Sequence, residues 1–345
     1  MRKTLLFILS LLICAVLCTA AAFAAEQTVY VKDGGTGDGT SAASPLGTLN
    51  AAVSALGGKG GTIVACGDVT VNAITTIPEQ SGDFTLTAAA GGRLLQGNRI
   101  QLGKNTNDNT FTFDLPIVMT KTYPVFIFGG FNSVHFTDKC VVTNNGANGS
   151  LHFMGGVLAA SGTANAALVT ELPYSITVDG GDFCMFSAGT YRSSVTAPVG
   201  SIAAPVTITI NGGTFGKAGS YDLTTNNKNY WDVSIADGLI LADDATLNIT
   251  GGTFNAPIFA QGRLDNVPAT ASETSALTAS DRKYYAADGD IRINITGGTF
   301  NGGLISAYYT QAGYTQMLRG SFDVTIGAGA TFAAGTVIDA TQVKA

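Results

Sequence analysis

Four phenylalanines in this chain are each followed, six to nine residues later, by tyrosine or arginine. Tyr191 follows Phe183 by 8, Tyr221 follows Phe215 by 6, Arg263 follows Phe254 by 9, and Tyr308 and Tyr309 follow Phe300 by 8 and 9. Aromatic rings stack on the apolar faces of sugars, while arginine and phenolic hydroxyls hydrogen-bond their polar edges. With Arg192 beside Tyr191, these six residues form a candidate ligand-binding set for an extended polysaccharide or cell-surface glycan. The ordinary alternative is a tyrosine half buried at a strand end with its hydroxyl in water. Other chemistry-bearing patterns are weaker. Gly35-Thr-Gly-Asp-Gly39 and Gly57-Gly-Lys-Gly-Gly-Thr62 lack the spacing of a nucleotide-binding loop. Asn148-Gly-Ser150, Asn248-Ile-Thr250 and Asn294-Ile-Thr296 match the glycosylation pattern, but the last two fall in core repeats.

The phenylalanines end a repeated phrase. Ile176-Thr-Val-Asp-Gly-Gly-Asp-Phe183 recurs as Ile208-Thr-Ile-Asn-Gly-Gly-Thr-Phe215, Leu247-Asn-Ile-Thr-Gly-Gly-Thr-Phe254 and Ile293-Asn-Ile-Thr-Gly-Gly-Thr-Phe300, with a decayed copy at Val324-Thr-Ile-Gly-Ala-Gly-Ala-Thr-Phe332. Gly129-Gly130 and Gly155-Gly156 look like looser members, and steps between Gly-Gly pairs run 26, 25, 32, 39 and 46. Apolar residues alternating with polar ones predict a strand with one buried face. The glycine pair then permits a sharp bend, and phenylalanine opens a second short strand. Two such strands cannot bury their apolar face alone, but stacked copies form one continuous core. Because every copy runs the same way, the stacking is parallel, and the fold expected is all-β, a right-handed parallel β-helix. At roughly 25–35 residues per rung the chain makes on the order of ten rungs, about 48 Å of axis. An antiparallel sandwich fits less well, since hairpin partners would not share one phrase.

The N-terminus contains a separate signal. Arg2 and Lys3 precede an apolar run from Leu5 to Leu17, and Ala22-Phe23-Ala24 supplies small residues for cleavage. Residues 1–25 therefore read as a secretory signal peptide, too short to span a membrane, which leaves residues 26–345 as a single β-helix domain without membrane insertion. In the oxidising space outside the cell the mature chain keeps Cys66, Cys140 and Cys184, an odd number in apolar strand-like stretches. They read as small buried hydrophobes rather than as a disulfide or metal set. Charged residues are only 12% of the chain, with a net charge of -6. Without Arg2 and Lys3 the balance is 16 basic to 24 acidic residues, or -8. Such a surface excludes nucleic acid as a partner.

Residues 26–60 read as a strand from Val29, a Gly/Asp/Ser loop, and a short helix with Ser44 as N-cap and Pro45 as its first residue. Leu46, Leu49, Val53 and Leu56 share one face of that helix, which would cap the open end of the core. The order of a valine-rich strand, this loop, a Ser-Pro-Leu helix start and Gly-Gly-Thr-Ile-Val resembles the opening of secreted proteins of the pectate-lyase-like β-helix superfamily. The Gly-Gly-Thr-Phe rungs are similar to those of large bacterial surface proteins. The resemblance covers roughly residues 29–75 and 176–332 and implies fold more than function, because the superfamily includes polysaccharide lyases, hydrolases, esterases and non-catalytic adhesins.

Most catalytic signatures of that superfamily fail here. His135 and His152 lack the flanking glycines of the polygalacturonase type, and Pro124-Val-Phe-Ile-Phe-Gly129 has Val125 where a pectin methylesterase carries its aspartate. For a calcium-dependent lyase the candidates are Asp237, Asp243, Asp244, Asp265, Asp288 and Asp290 with Arg263 or Arg282, but solvated loop charges account for them better than a calcium and base cluster does. Ice binding through Thr-x-Thr arrays rests on Thr207-Ile-Thr209 alone. The expectation is an exported bacterial surface or extracellular interaction module, adhesin-like and carbohydrate-binding, with no cofactor and no assigned catalytic residue. The alternative is a polysaccharide lyase, whose cofactor would be calcium. Phe332-Ala-Ala-Gly-Thr-Val-Ile-Asp-Ala340 is still strand-like, so the sequence predicts either further chain beyond Ala345 or self-association through an uncapped end.

Overall fold

The structure is a computed structural model. It describes residues 26–103, 107–120, 125–128, 133–144, 151–154, 158–159, 174–187, 191–192, 206–216, 238–240, 245–259, 283–285, 290–306, 315–317 and 321–339. Residues 1–25, with the expected signal peptide, lie outside that set.

Every pairing between strands of successive rungs is parallel, which excludes the antiparallel sandwich. The chain is a parallel β-helix. Its first ladder begins at Thr28–Val31 and passes through Gly61–Ala65, Phe84–Ala88, Thr110–Asp114, Ser133–Phe136, Tyr174–Val178, Val206–Ile210 and Ala245–Ile249. It ends in the leading halves of Ile291–Phe300 and Phe322–Phe332. Those ten strands match the number of rungs expected from repeat length. A second ladder runs from Asp68–Val71 to Val142–Asn144, and the Thr-Phe ends of the repeated phrase pair with one another from Asp182 to Phe332.

A third ladder, unannounced by the repeated phrase, closes the rungs from the one that begins at Gly61–Ala65 onward. It includes Thr75–Ile77, Ile100–Leu102, Val125–Phe128, Leu151–Met154, Gly238–Ile240, Ile258–Phe259, Leu304–Ser306 and Val337–Asp339. Val125 thus falls in a ladder strand. The two-strand rung of the sequence reading becomes a three-strand rung because these third strands are two to four residues long and flanked by segments of varying length.

The glycine pair has two separate causes. At its second position Gly213, Gly252 and Gly298 have φ of 97, 97 and 100°, a region that L side chains rarely enter. At its first position the rungs approach too closely for a side chain: a Cβ on Gly251 would lie 2.3 Å from the Asn211 carbonyl oxygen, and one on Gly297 2.1 Å from that of Thr250. The longer final copy is accommodated by a register shift between Ile295 and Gly297, after which Gly297 faces Gly329.

Inside, phenylalanine rings run from Phe84 to Phe332 with successive centroids 4.5 to 5.6 Å apart. The column starts on the first ladder and crosses to the Thr-Phe ends of the repeated phrase between Phe136 and Phe183. Cys140 is fully buried, and burial pushes its thiol up to about 12. Cys66 is partly exposed and, like Cys140, carries a free thiol, consistent with the reading of cysteine as a small hydrophobe.

The cap helix spans Leu49–Leu56, with Leu49, Ala52, Val53 and Leu56 buried. Its N-cap is Thr48, whose side chain accepts from the Ala51 N–H, and not Ser44. Leu46 cannot be helical, because its N–H donates to Tyr30 and its carbonyl accepts from Lys32 in a parallel bridge. Among the described residues no helix is long and apolar enough to cross a membrane. At the other end the last rung leaves Ile326, Val337 and Ile338 between 41 and 53% exposed.

Candidate functional site

Of the six candidate residues, Tyr191 and Arg192 form a two-residue strand paired in parallel with Leu158–Ala159. Both strands lie where the chain passes from the third ladder to the first. Tyr221, Arg263, Tyr308 and Tyr309 lie outside the described residues. Lys283–Tyr285 occupies the same kind of corner and pairs with Thr315–Met317, placing Tyr284 opposite Gln316. Added segments of neighbouring rungs thus pair in parallel with one another.

Of the lyase candidates, Asp290 is described. Its carboxylate accepts from the Ser321 N–H and hydroxyl, both at 2.8 Å, and lies 3.6 Å from Arg292. The other five aspartates, Arg263 and Arg282 fall outside the described residues. No group of three or more potential metal-ligating side chains occurs among the described residues.

The first ladder brings together residues that the sequence reading did not single out. Its outward face has three rows, since alternate residues of a strand share a face. One row contains Thr110, Ser133, Ser175, Thr207 and Thr246 in consecutive rungs, and the next contains Thr112, His135, Thr177, Thr209 and Asn248. The Thr-x-Thr pattern is therefore not confined to Thr207-Ile-Thr209. Thr85-Leu-Thr87, Thr110-Phe-Thr112 and Ser175-Ile-Thr177 stand on the same face. The signal lay in the residue before the repeated phrase and in its second letter, Ser175 and Thr177, Thr207 and Thr209, then Thr246 and Asn248. It was hidden in the earlier rungs, which lack that phrase.

Across these five rungs the third row holds most of the charge, while beyond Thr246 the first row continues as Arg292 and Asp323. Asp114 accepts from Thr87 at 2.8 Å, from Thr137 at 2.7 Å and from the Lys139 ammonium at 2.9 Å. Burial opposes its ionisation, but the hydrogen bonds from Lys139, Thr137 and Thr87 outweigh that and hold the carboxyl below its ordinary range. Two rungs on, Asp179 is bound by Asn211 Nδ2 at 2.8 Å and by His135 Nε2 at 2.9 Å. Burial raises its pKa, the Asn211 and His135 contacts lower it, and the net direction is down. The side chains of His135 and Asp179 are 33 and 35% exposed. The row can bind polar groups, but each carboxylate is already engaged.

A depressed carboxylate stabilises the fold above its unfolded pKa and loses that contribution as pH falls through the folded value. Melting temperature should therefore be flat near neutrality and fall below the ordinary aspartate pKa of about 3.9. Asp114→Asn should melt lower at neutral pH and show a shallower acid decline, checked by thermal melts across pH. An unchanged acid slope would remove Asp114 from this account.

Comparison with known proteins finds no matching family model, no matching curated protein and no matching solved structure.

Proposed function

We propose that the chain is an exported β-helical interaction module, adhesin-like, that binds extended polysaccharide along the corner between its third and first ladders. The observation that carries this reading is the pairing of Leu158 with Tyr191, Ala159 with Arg192, and Tyr284 with Gln316. Segments added to neighbouring rungs remain in register with each other, so side chains on them recur at about the rung spacing of 4.8 Å. A polymer of repeating units lying along the axis can then be met at the rung spacing, with aromatic and arginine groups as its anchors and other side chains between them.

Retention on a panel of neutral and acidic polysaccharides tests the proposal, with reaction products followed by mass spectrometry with and without calcium. Tyr191→Ala combined with Tyr308→Ala should weaken retention about tenfold or more, the scale of losing an aromatic anchor, without changing the melting temperature. Unchanged retention sinks the assignment of the corner. Unsaturated products that appear only with calcium would identify a lyase instead and redirect attention to Asp290 and the neighbouring acidic segments.

A further inference from the structure

We propose that the outward face of the first ladder binds an ordered water lattice, specifically the surface of an ice crystal. This site is separate from the tyrosine corner and does not depend on the polysaccharide reading.

Three observations lead there. The first is metric: parallel strands stand about 4.8 Å apart and alternate residues of one strand about 6.6 Å apart, so two adjacent rows of side chains make a rectangular net. Both repeats are close to oxygen spacings on faces of hexagonal ice. Pairing along this ladder holds one register from Thr28–Val31 to the leading half of Phe322–Phe332, so the net stays continuous. Its neighbour by contrast shifts register between Leu151 and His152.

The second is chemical. Threonine presents a hydroxyl and a methyl from one stiff, β-branched carbon, so hydroxyls can anchor water while methyls leave water between them caged. Across the five rungs from Thr110 to Thr246, His135 is the one ionisable residue in the first two rows, and it is tied to Asp179 at 2.9 Å. Beside these five rungs the charged groups Asp114, Lys139 and Asp179 lie along one margin and are mutually or locally paired, and Arg292 and Asp323, which follow Thr246 in the first row, bound the uncharged net at its end.

The third is rigidity. Ser133 and Ser175 hydroxyls meet at 2.9 Å across rungs, and Asn294 Nδ2 donates to Asn248 Oδ1 at 3.0 Å. Side chains locked in place lose little freedom on meeting a crystal. Crystalline polysaccharide is the competing ordered surface, but its sugar faces call for broad aromatic groups, and across these five rungs the two rows contain no tryptophan, tyrosine or phenylalanine.

The test grows a single ice hemisphere on a cold finger in a dilute solution of the purified protein. Cellulose microcrystals serve as a second arm. The protein should be taken into the ice, and Thr177→Lys combined with Thr209→Lys should be excluded from it like an ordinary soluble protein. Thr253→Lys, among the Thr-Phe ends of the repeated phrase and off this face, should be taken up as the parent is. Melting curves of all three show that folding is intact; if the double variant fails to fold, Thr209→Tyr replaces it and should be excluded likewise. Exclusion of the parent protein from ice, undiminished uptake of the folded variants, or retention on cellulose without uptake into ice would each overturn the proposal.

Discussion

Adding one methyl group at Gly297 is expected to destabilise the protein by about 3 kcal/mol or more, at the upper end of what single substitutions do. The new Cβ would sit 2.1 Å from the Thr250 carbonyl oxygen of the rung below. The contact is with backbone, so no rotamer change relieves it. Either the two rungs separate, stretching the bond from the Thr299 N–H to the Gly252 carbonyl, now 2.9 Å, or the bend itself deforms. Gly303 supplies the comparison, because it has φ of 73° and nothing within 4 Å of a built Cβ. Gly303→Ala carries only the left-handed backbone cost of about 1–2 kcal/mol. Urea unfolding of both variants distinguishes the effects. Equal losses would show that rung approach contributes nothing and that glycine serves the bend alone.

The second large effect is expected at Phe254. Its ring lies 5.0 Å from that of Phe215 and 4.7 Å from that of Phe300, stacked on both. Phe254→Ala removes a fully buried ring from mid-column and should cost about 3–5 kcal/mol. In a solenoid each rung is supported only by its neighbours, so the cavity also weakens the coupling between the two halves of the column. The expected thermal transition is lower and broader, with hydrogen exchange quickening first around Gly213 and Gly252. Phe332, with one ring neighbour at 4.8 Å and partial exposure, should tolerate the same change at less than half the cost. An equal effect at both positions would mean that the column is not the main source of cohesion.

The parallel stack was legible because one phrase combines three requirements of the fold: alternation for the strand, glycines for close approach and for φ near 100°, and phenylalanine for the column. The helix was legible as an element but not at its boundary. Ser44-Pro45 satisfies the local rules for a helix start, yet the bridge between Leu46 and Val31 takes precedence over them. The third ladder escaped notice because strands such as Ile258–Phe259 and Leu304–Ser306 are too short to show a period. The threonine rows were invisible for a different reason. Thr85, Thr112, His135, Thr177 and Thr209 are separated by 27, 23, 42 and 32 positions, and only the pairing register reveals that they are neighbours. The tyrosine corner had the opposite character, since its spacing was readable from the phenylalanines while the pairing of Tyr191 with Leu158 was not.

Segment length and ladder register are uncoupled in this molecule. The interval between successive glycine pairs grows from 32 to 39 to 46 residues, yet Val206–Ile210, Ala245–Ile249 and Ile293 stay in step without a shift. A solenoid with this property separates what it displays from what holds it up. Its corner segments can be lengthened, exchanged or duplicated like cassettes while selection on the ladders continues undisturbed, so closely related chains should share a frame and differ chiefly in what that corner presents.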